Sequence, residues 1–206
     1  MLKNNKILFV VNPVSGIKDN KLIAQTISTH LNSHKIDFDI IYTSKSGYAK
    51  HYVHTMNAGA YHSILILGGD GTINEILNGI LSRLDGYVPT LGFLPGGTGN
   101  AVLHDLNYLD PMSALQPMLH KRAKFIDVMV LQFSNSIEYS INILGWGLVV
   151  DIAILAEKLR FIGQSRYNLA SLYSILKLKE RDCTVIIDDK KYHNQYLFIL
   201  IHNTIY

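Results

Sequence analysis

A single carboxylate stands among glycines in the segment GGDGT, residues 68–72, where an apolar run gives way to an amphipathic one. Glycines let main-chain N–H groups approach a ligand without interference from a Cβ, and the N-terminus of a helix attracts anions. Asp70 would repel a phosphate bound there, so the carboxylate requires a role of its own. Two such roles are ligation of Mg²⁺ and acceptance of a proton from an attacking hydroxyl. The alternative without chemistry is that Asp70 caps the following helix, although Thr72 could cap it instead.

Two further glycine-bearing segments follow apolar runs: NPVSG, residues 12–16, and PGGTGN, residues 95–100. A simple turn would explain either segment alone, because Pro and Gly are common in loops. Three such loops at one edge of a sheet would instead form a cradle for phosphate groups. The residues of this predicted cradle are Asn12, Ser15, Gly16, Gly68, Gly69, Gly71, Thr72, Gly97 and Thr98.

The first half of the chain alternates short apolar runs with helical patterns. The runs KILFVV, FDIIYT, SILILG and TLGFLP predict four strands that are apolar on both faces. Such strands are typical of a parallel sheet covered by helices, as in Rossmann-like α/β domains. Ligands of these sheets gather at the carboxyl ends of the strands, where the three glycine loops fall.

The helix predicted after Asp70 has a clear apolar face, so its polar residues are expected on the opposite side. Glu75 lies one turn after Gly71, close enough to reach a ribose hydroxyl or a metal-bound water. The alternative is a solvated helix glutamate. The expected apolar face comprises Ile73, Ile76, Leu77, Ile80, Leu81 and Leu84, and the expected polar side comprises Asn74, Glu75 and Asn78.

The second half contains longer strand-like runs, among them AKFIDVMVLQF, IEYSINILGWGLVV, CTVIIDD and NQYLFILI. The links SNS and DDKK predict hairpin turns, and one helix is expected over residues 166–178. We therefore predict an α/β domain over residues 1–122 and a β-rich antiparallel domain over residues 123–206, with the boundary near residues 121–126.

Composition narrows the function classes. The 206 residues are 48% hydrophobic with a net charge of +3 and no Lys/Arg block, which argues against disorder and against a nucleic-acid surface. No apolar run approaches the roughly 20 residues that cross a bilayer. The N-terminal run is too short for a secretory signal, and the single Cys183 suits a reducing compartment. We expect a cytoplasmic protein with weak attraction to anionic lipid surfaces.

These motifs together resemble the diacylglycerol-kinase-type lipid kinases, the family that also contains sphingosine and ceramide kinases. The resemblance is carried by VNPVSG, GGDGTINEILNG and LGFLPGGTGN, and it extends through GWGLVVDIAILAEKLRFIGQSRY. GGDGT alone would also fit NAD kinases and phosphofructokinases. The segments GTGNA and EKLRFIGQSRY look most similar to the sphingosine-kinase branch.

The resemblance implies a phosphofructokinase- and NAD-kinase-like α/β domain that binds ATP with Mg²⁺, next to a β-rich domain. The γ-phosphoryl group would pass to a lipid hydroxyl at a membrane surface. At matching positions, Asp70 would be the general base, and Gly69 and Gly71 would shape the phosphate loop. Asn12 and Ser15 would line the nucleotide.

Further residues follow from the same resemblance. Thr43 and Thr98 would touch the nucleotide, and Glu75 its ribose. Arg160 and Arg166 would neutralise the phosphates, a role that suits a planar guanidinium, although arginines are also common on surfaces. No metal ligands are assigned.

The sequence departs from the family at two points. The sphingosine-kinase branch places an aspartate, which can hold the lipid amine, two residues after the position of Asp151; here that residue is Ala153. Asp151 therefore remains the predicted substrate residue, and a neutral acceptor such as diacylglycerol or ceramide becomes an alternative to a sphingoid base. Family members also continue well beyond ILIHNTIY, so we expect the β-rich domain to be incomplete here.

Two other functions stay open at this point. An NAD-kinase-like activity fits GGDGT, but NPVSG and the segment with Arg160 and Arg166 disfavour it. A catalytically inactive nucleotide-binding module is the second. The sequence leaves a homodimer open and does not settle which lipid would be phosphorylated.

Overall fold

The computed structural model describes residues 6–16 and 18–203, except for the side chains of Asp105, Arg160 and Gln164. Its contacts define two compact units, one of residues 6–142 with Asn203 and the other of residues 143–202. The domain boundary near residues 121–126 stays a prediction.

The first unit is built on a four-stranded, all-parallel sheet with strand order β2-β1-β3-β4, which confirms the predicted α/β fold. An antiparallel hairpin of two further strands belongs to the same unit. Its elements are β1 (Ile7–Val11), α1 (Asn20–Ser33), β2 (Phe38–Tyr42), α2 (Tyr48–Thr55), β3 (Ser63–Gly68), α3 (Asp70–Leu81), β4 (Thr90–Pro95), α4 (Ala101–Asp105), α5 (Pro111–Leu119), β5 (Met129–Gln132) and β6 (Ile137–Ser140).

The core of this unit explains why its strands are apolar on both faces. Every residue of β1 and β3 is buried, because these strands lie in the middle of the sheet. Helix α1 adds Ala24, Ile27 and Leu31 to the core at helical spacing, and the Asp19 carboxylate caps its N-terminus through the amides of Lys21 and Leu22.

Strand order fixes where a ligand can bind. From β1 the chain turns to β2 on one side, and it then returns to β3 on the other side of β1. The connections that follow β1 and β3 therefore lead in opposite directions, although these two strands are neighbours in the sheet. A crevice opens at such a topological switch point, and it is the usual ligand site of an open α/β sheet. Residues 12–16 lie in the first of these connecting loops, and residues 68–72 span the second, which consists of Gly69 with the end of β3 and the first turn of α3.

Helix α3 differs from the prediction at two positions. Leu84 was expected to be buried, but the helix ends at Leu81 and Leu84 is fully exposed. Asn78 was expected on the polar side, but it is only 2% exposed because its amide pairs with the backbone of Tyr139 in β6. The amide Nδ2 donates to the Tyr139 carbonyl at 2.9 Å, and the Tyr139 N–H donates to Oδ1 at 2.8 Å. The helix thus binds the hairpin edge through one side chain.

The second unit contains two antiparallel pairs, β7 with β10 and β8 with β9. Both predicted hairpin turns are confirmed, one in each unit. In the first unit, SNS connects β5 and β6. In the second unit, Asp188 and Asp189 connect β8 and β9, with the positive φ angles of 47° and 66° that a type I′ turn requires. Its elements are β7 (Ile143–Gly147), α6 (Leu148–Lys158), a 3₁₀ helix (Arg160–Ser165), α7 (Arg166–Leu176), β8 (Arg181–Ile187), β9 (Lys190–Tyr196) and β10 (Phe198–His202).

Helix α6 corrects the expectation of a single helix in this half. The apolar run GWGLVV was interpreted as a continuing strand, but Gly147 takes a φ of 78° and ends β7 there. Only glycine adopts this backbone readily, so the chain turns into a helix at Leu148. None of the helices in the described ranges combines the length and the hydropathy needed to cross a bilayer.

Candidate phosphate-binding site and catalytic carboxylate

The loop after β1 is joined to the first turn of α3 by Asn12. Its Nδ2 donates to the Thr72 hydroxyl at 2.9 Å, and its Oδ1 accepts the Val14 N–H at 3.2 Å. Thr72 is 6% exposed, so this bond lies under the loop surface. Asn12 thereby fixes the backbone of its own loop and the distance to the GGDGT segment.

Asn20 ties the first loop to the third. This residue begins α1 and is fully buried, and its Nδ2 lies 2.8 Å from the carbonyl oxygen of Asn12, 3.0 Å from that of Ser15 and 2.9 Å from that of Gly96. Buried carbonyls need such a donor, because an unpaired one is costly. Asn20 was not predicted: nothing in the sequence marks this helix-terminal asparagine, and one partner lies 76 residues away.

Glycines let the three loops pack directly on one another. A Cβ on Gly97 would overlap the Cα of Gly69, a Cβ on Gly69 would lie 3.0 Å from the Ser15 hydroxyl, and a Cβ on Gly16 would lie 2.7 Å from the carbonyl oxygen of Gly96. Real Cβ atoms do not tolerate most of these distances. Gly16 also takes a φ of 72°, which favours glycine. These glycines are therefore needed for loop-on-loop packing.

Gly71 has a different environment. A Cβ there would meet no protein atom within 4 Å, so the loop packing does not require glycine at this position. Gly71 is the second residue of α3, where the main-chain N–H groups lack partners within the helix. Unpaired N–H groups at a helix N-terminus can bind phosphate, and phosphate binding at Gly71 stays a prediction.

The third loop is shaped by Asn100, a further residue that sequence reasoning missed. Asn100 takes a φ of 50°, its Oδ1 accepts the Gly97 N–H at 2.8 Å, and its Nδ2 donates to the Gly97 carbonyl at 2.9 Å. Asparagine tolerates this left-handed backbone better than most residues, which is the signal that could have singled it out within PGGTGN. Thr98 lies exposed in the turn that these bonds close.

Asp70 is the first residue of α3, and its carboxylate does not cap the helix. The N-cap residue is Gly69, and no side chain caps this end, so the structure does not support the capping interpretation of Asp70 or Thr72. Oδ1 of Asp70 accepts a hydrogen bond from Nδ2 of Asn142 at 3.2 Å. Oδ2 faces Gly99, where a Cβ would lie only 3.2 Å away. The carboxylate is therefore held at the mouth of the three loops and remains partly exposed.

Glu75 binds the loop before α2. Its Oε1 accepts the Gly47 N–H at 2.8 Å and the Ser46 hydroxyl at 3.3 Å. Thr43 lies at the start of the same loop, where its N–H donates to the Val11 carbonyl at 2.9 Å. Glu75 thus stabilises the segment that carries Thr43, while contacts of both residues with a nucleotide stay predictions.

The predicted residues of the second unit are engaged in ion pairs within that unit. Asp151 Oδ2 accepts from Arg181 Nη2 at 2.6 Å, and this guanidinium lies 5.9 Å from the ring centroid of Trp146. Arg166 lies 3.7 Å from Glu157 and stacks on Tyr167 at 4.9 Å. The side chain of Arg160 lies outside the described residues. The proposed roles of these residues at phosphate or substrate stay predictions.

The three loops contain one acidic residue, Asp70. No group of three or more His, Cys, Asp or Glu side chains that could hold a metal occurs in the described part of the chain. This donor set still fits Mg²⁺ bound together with a nucleotide, because Mg²⁺ keeps several waters and usually takes one or two carboxylates plus phosphate oxygens.

The family model described as the diacylglycerol kinase catalytic domain matches residues 6–131. The chain belongs to this family. The matched range contains all three glycine loops and Asp70, so the family assignment and the loop geometry concern the same residues.

The curated proteins that are similar to this chain include sphingosine kinases. Sphingosine kinase 1 of Arabidopsis thaliana is 29% identical over 205 residues, which cover 94% of this chain and 40% of that protein. Sphingosine kinase 1 of Caenorhabditis elegans is 30% identical over 181 residues, covering 79% of this chain and 38% of the relative. The chain thus spans about two fifths of the length of these curated relatives.

The fold is also that of a solved family structure. The crystal structure of a diacylglycerol kinase from Bacillus anthracis superposes with a TM-score of 0.75 at 25% identity, covering 100% of this chain and 67% of the other. The similarity includes the sheet and the antiparallel strands that follow it, which agrees with the predicted fold class.

Proposed function

We propose that this chain forms the nucleotide-binding and catalytic part of an ATP-dependent lipid kinase. The observation that carries the proposal is the position of Asp70: one carboxylate, held by a hydrogen bond, lies next to the glycine-lined space at Gly71. A site built for phosphate alone would exclude a negative charge. A site that must accept a proton from an alcohol beside a phosphate requires one.

The residues of the first unit would divide the work of phosphoryl transfer. The amides at the start of α3 would bind phosphate oxygens, with Asn12 and Asn20 keeping the loops in register. The lipid hydroxyl oxygen would form a bond to the γ-phosphorus while the bond to the bridging oxygen of ADP breaks. Asp70 would take the hydroxyl proton. Mg²⁺, when bound with ATP, would neutralise charge on the phosphate oxygens.

The acceptor would be a sphingoid base or a diacylglycerol. Sphingosine kinases among the relatives favour the first, and the diacylglycerol kinase structure favours the second. Asp151 would contact this lipid, and Arg160 and Arg166 would approach the phosphates. The lipid would be met at a membrane surface by a cytoplasmic protein.

The test is phosphoryl transfer from γ-labelled ATP with Mg²⁺ to diacylglycerol, ceramide or sphingosine in mixed micelles, with NAD as a parallel acceptor. We expect label in a lipid and none in NAD. Label in NAD without any labelled lipid would replace the proposal with an NAD-kinase-like activity. Calorimetric binding of ATP without transfer to any acceptor would instead make the chain an inactive nucleotide-binding module.

A further inference from the structure

Asn142 lies outside the glycine loops, yet it makes the hydrogen bond that the catalytic carboxylate accepts. It stands between β6 and β7, 72 residues after Asp70, and its Nδ2 donates to Asp70 Oδ1 at 3.2 Å. Neither the glycine motifs nor the family resemblance singled out this residue.

The backbone of Asn142 is fixed independently of Asp70. Its N–H donates to the Ser140 hydroxyl at 3.3 Å, and its carbonyl accepts the Asn203 N–H at 3.1 Å. The donor of the side chain is thereby presented from a defined position. A hydrogen-bond donor whose backbone is fixed orients the carboxylate that accepts from it, whereas a mobile donor would follow the carboxylate.

The other end of the amide indicates what the side chain is for. Oδ1 of Asn142 is buried and has no hydrogen-bond partner in the described part of the chain. Rotating the amide by half a turn would leave the donor in that place and bring Oδ1 against the Asp70 carboxylate, which is repulsive. The bond to Asp70 therefore sets the orientation of the amide, at the cost of an unpaired carbonyl oxygen.

We propose that Asn142 is a positioning residue that fixes the Asp70 carboxylate and leaves Oδ2 as the atom that accepts the proton. Oδ1 is occupied by the amide, while Oδ2 faces Gly99, where the missing side chain leaves room beside it. This inference rests on the proposed function of Asp70. It adds which oxygen acts and which residue holds it.

The experiment compares two substitutions that differ in charge and in size. Asn142→Ala removes the donor and leaves space. Asn142→Asp keeps the size of the side chain but turns an oxygen towards Asp70. Asn203→Ala is the matched control, because its Nδ2 donates to the carbonyls of Asp127 and Ile141 in the same region without touching Asp70. Each variant of the 206-residue chain is assayed for kcat and for the KM of ATP with the preferred lipid.

Positioning predicts that Asn142→Ala lowers kcat about 10- to 100-fold with the KM of ATP within about twofold of wild type, because a hydrogen bond to a charged group is lost at the reacting atom. Asn142→Asp should lose more, and Asn203→Ala less than about twofold. A merely structural asparagine predicts the reverse order, since aspartate preserves the volume. Higher activity of Asn142→Asp than of Asn142→Ala, or an equal loss in Asn203→Ala, would overturn the proposal.

A structural readout keeps this inference separate from the proposed function. If the wild-type chain transfers phosphate to no lipid, the proposed function fails, and crystal structures of wild type and Asn142→Ala then decide the positioning role. We expect the Asp70 carboxylate to rotate or to take several conformers in the variant. An unchanged Asp70 carboxylate would contradict the role of Asn142.

Discussion

The two units of this chain hold their polar groups in different ways. In the first, two strands of the sheet are buried throughout, and Asn20 and Asn78 are 0% and 2% exposed and bond to main-chain groups outside their own helices. In the second, the buried apolar residues among those described are Ala156 and Ala170, and side chains as large as Phe161 are 83% exposed. Its polar pairs, such as Asp151 with Arg181, are partly exposed ion pairs.

The difference means that the polar side chains of the first unit are held in fixed positions, whereas those of the second unit are less firmly held. A catalytic group must be held within about 0.5 Å, which requires packing and hydrogen bonds from a rigid support. The first unit supplies such a support for Asp70 and the glycine loops. Ion pairs near the surface contribute only about 0–1 kcal/mol, so the partly exposed pairs of the second unit hold their charged groups less firmly than the buried amides hold the first unit.

The largest effect should come from Asp70→Asn, which keeps the size of the side chain and removes the proposed proton acceptor. We expect turnover in the lipid-kinase assay to fall by about 10²- to 10⁴-fold, because general-base catalysis typically contributes that much. Asp188→Asn makes the same chemical change in the exposed turn of the second unit and should keep full activity. Turnover of Asp70→Asn within about tenfold of wild type would remove the general-base role.

Asn20→Ala tests whether the first unit depends on its buried amides. The substitution removes a buried amide that lies within 3.0 Å of three carbonyl oxygens, so we expect a loss of about 3 kcal/mol in the free energy of unfolding by urea. Asn32→Ala, an exposed position on the same helix, should change it by less than about 0.5 kcal/mol. Equal effects at the two positions would show that the stability of the first unit does not depend on the buried amide of Asn20.

Two glycine substitutions distinguish packing from ligand binding within the first unit. Gly97→Ala should destabilise the fold, because its Cβ would overlap Gly69. Gly71→Ala should leave stability unchanged or raise it by up to about 1 kcal/mol, since alanine favours helices, and yet weaken ATP binding about tenfold. The measurements are thermal unfolding and calorimetry. Full ATP affinity in Gly71→Ala would show that the open space beside Gly71 is not the phosphate cradle.

The smallest effect is expected in the second unit. Arg181→Met removes the ion pair with Asp151 but retains an unbranched apolar stem beside Trp146. Because both side chains are partly exposed, unfolding free energy should fall by about 1 kcal/mol or less. A loss as large as that of Asn20→Ala would mean that the second unit is as rigidly organised as the first.

Local sequence signals were sufficient to predict the glycine loops, the four parallel strands and the two hairpin turns. Each follows from a short run of residues: apolar runs define strands, and glycine, asparagine and aspartate define turns. The stop of β7 at Gly147 also has a local cause, but an isolated glycine in a strand-like run does not reveal whether a helix follows.

Long-range partners could not be predicted in this way. Asn20, Asn78 and Asn142 bond to groups 61 to 76 residues away, and an asparagine on a helix or in a loop carries no mark of such a partner. Asn78 was placed on the polar side because helical periodicity treats every amide as solvated. The hydrogen bonds of these three residues follow from the tertiary packing, in which a loop, a hairpin edge and a carboxylate each require a hydrogen-bonding partner.

The most direct test of the central claim is an NMR titration of the ¹⁵N-labelled chain with ATP and Mg²⁺. If the three glycine loops form the phosphate cradle, the largest amide shifts will occur at Gly16, Gly71 and Gly97, and the same titration of Gly71→Ala will require higher ATP concentrations. Largest shifts at residues outside the loops, with these three amides unmoved at saturation, would contradict the account.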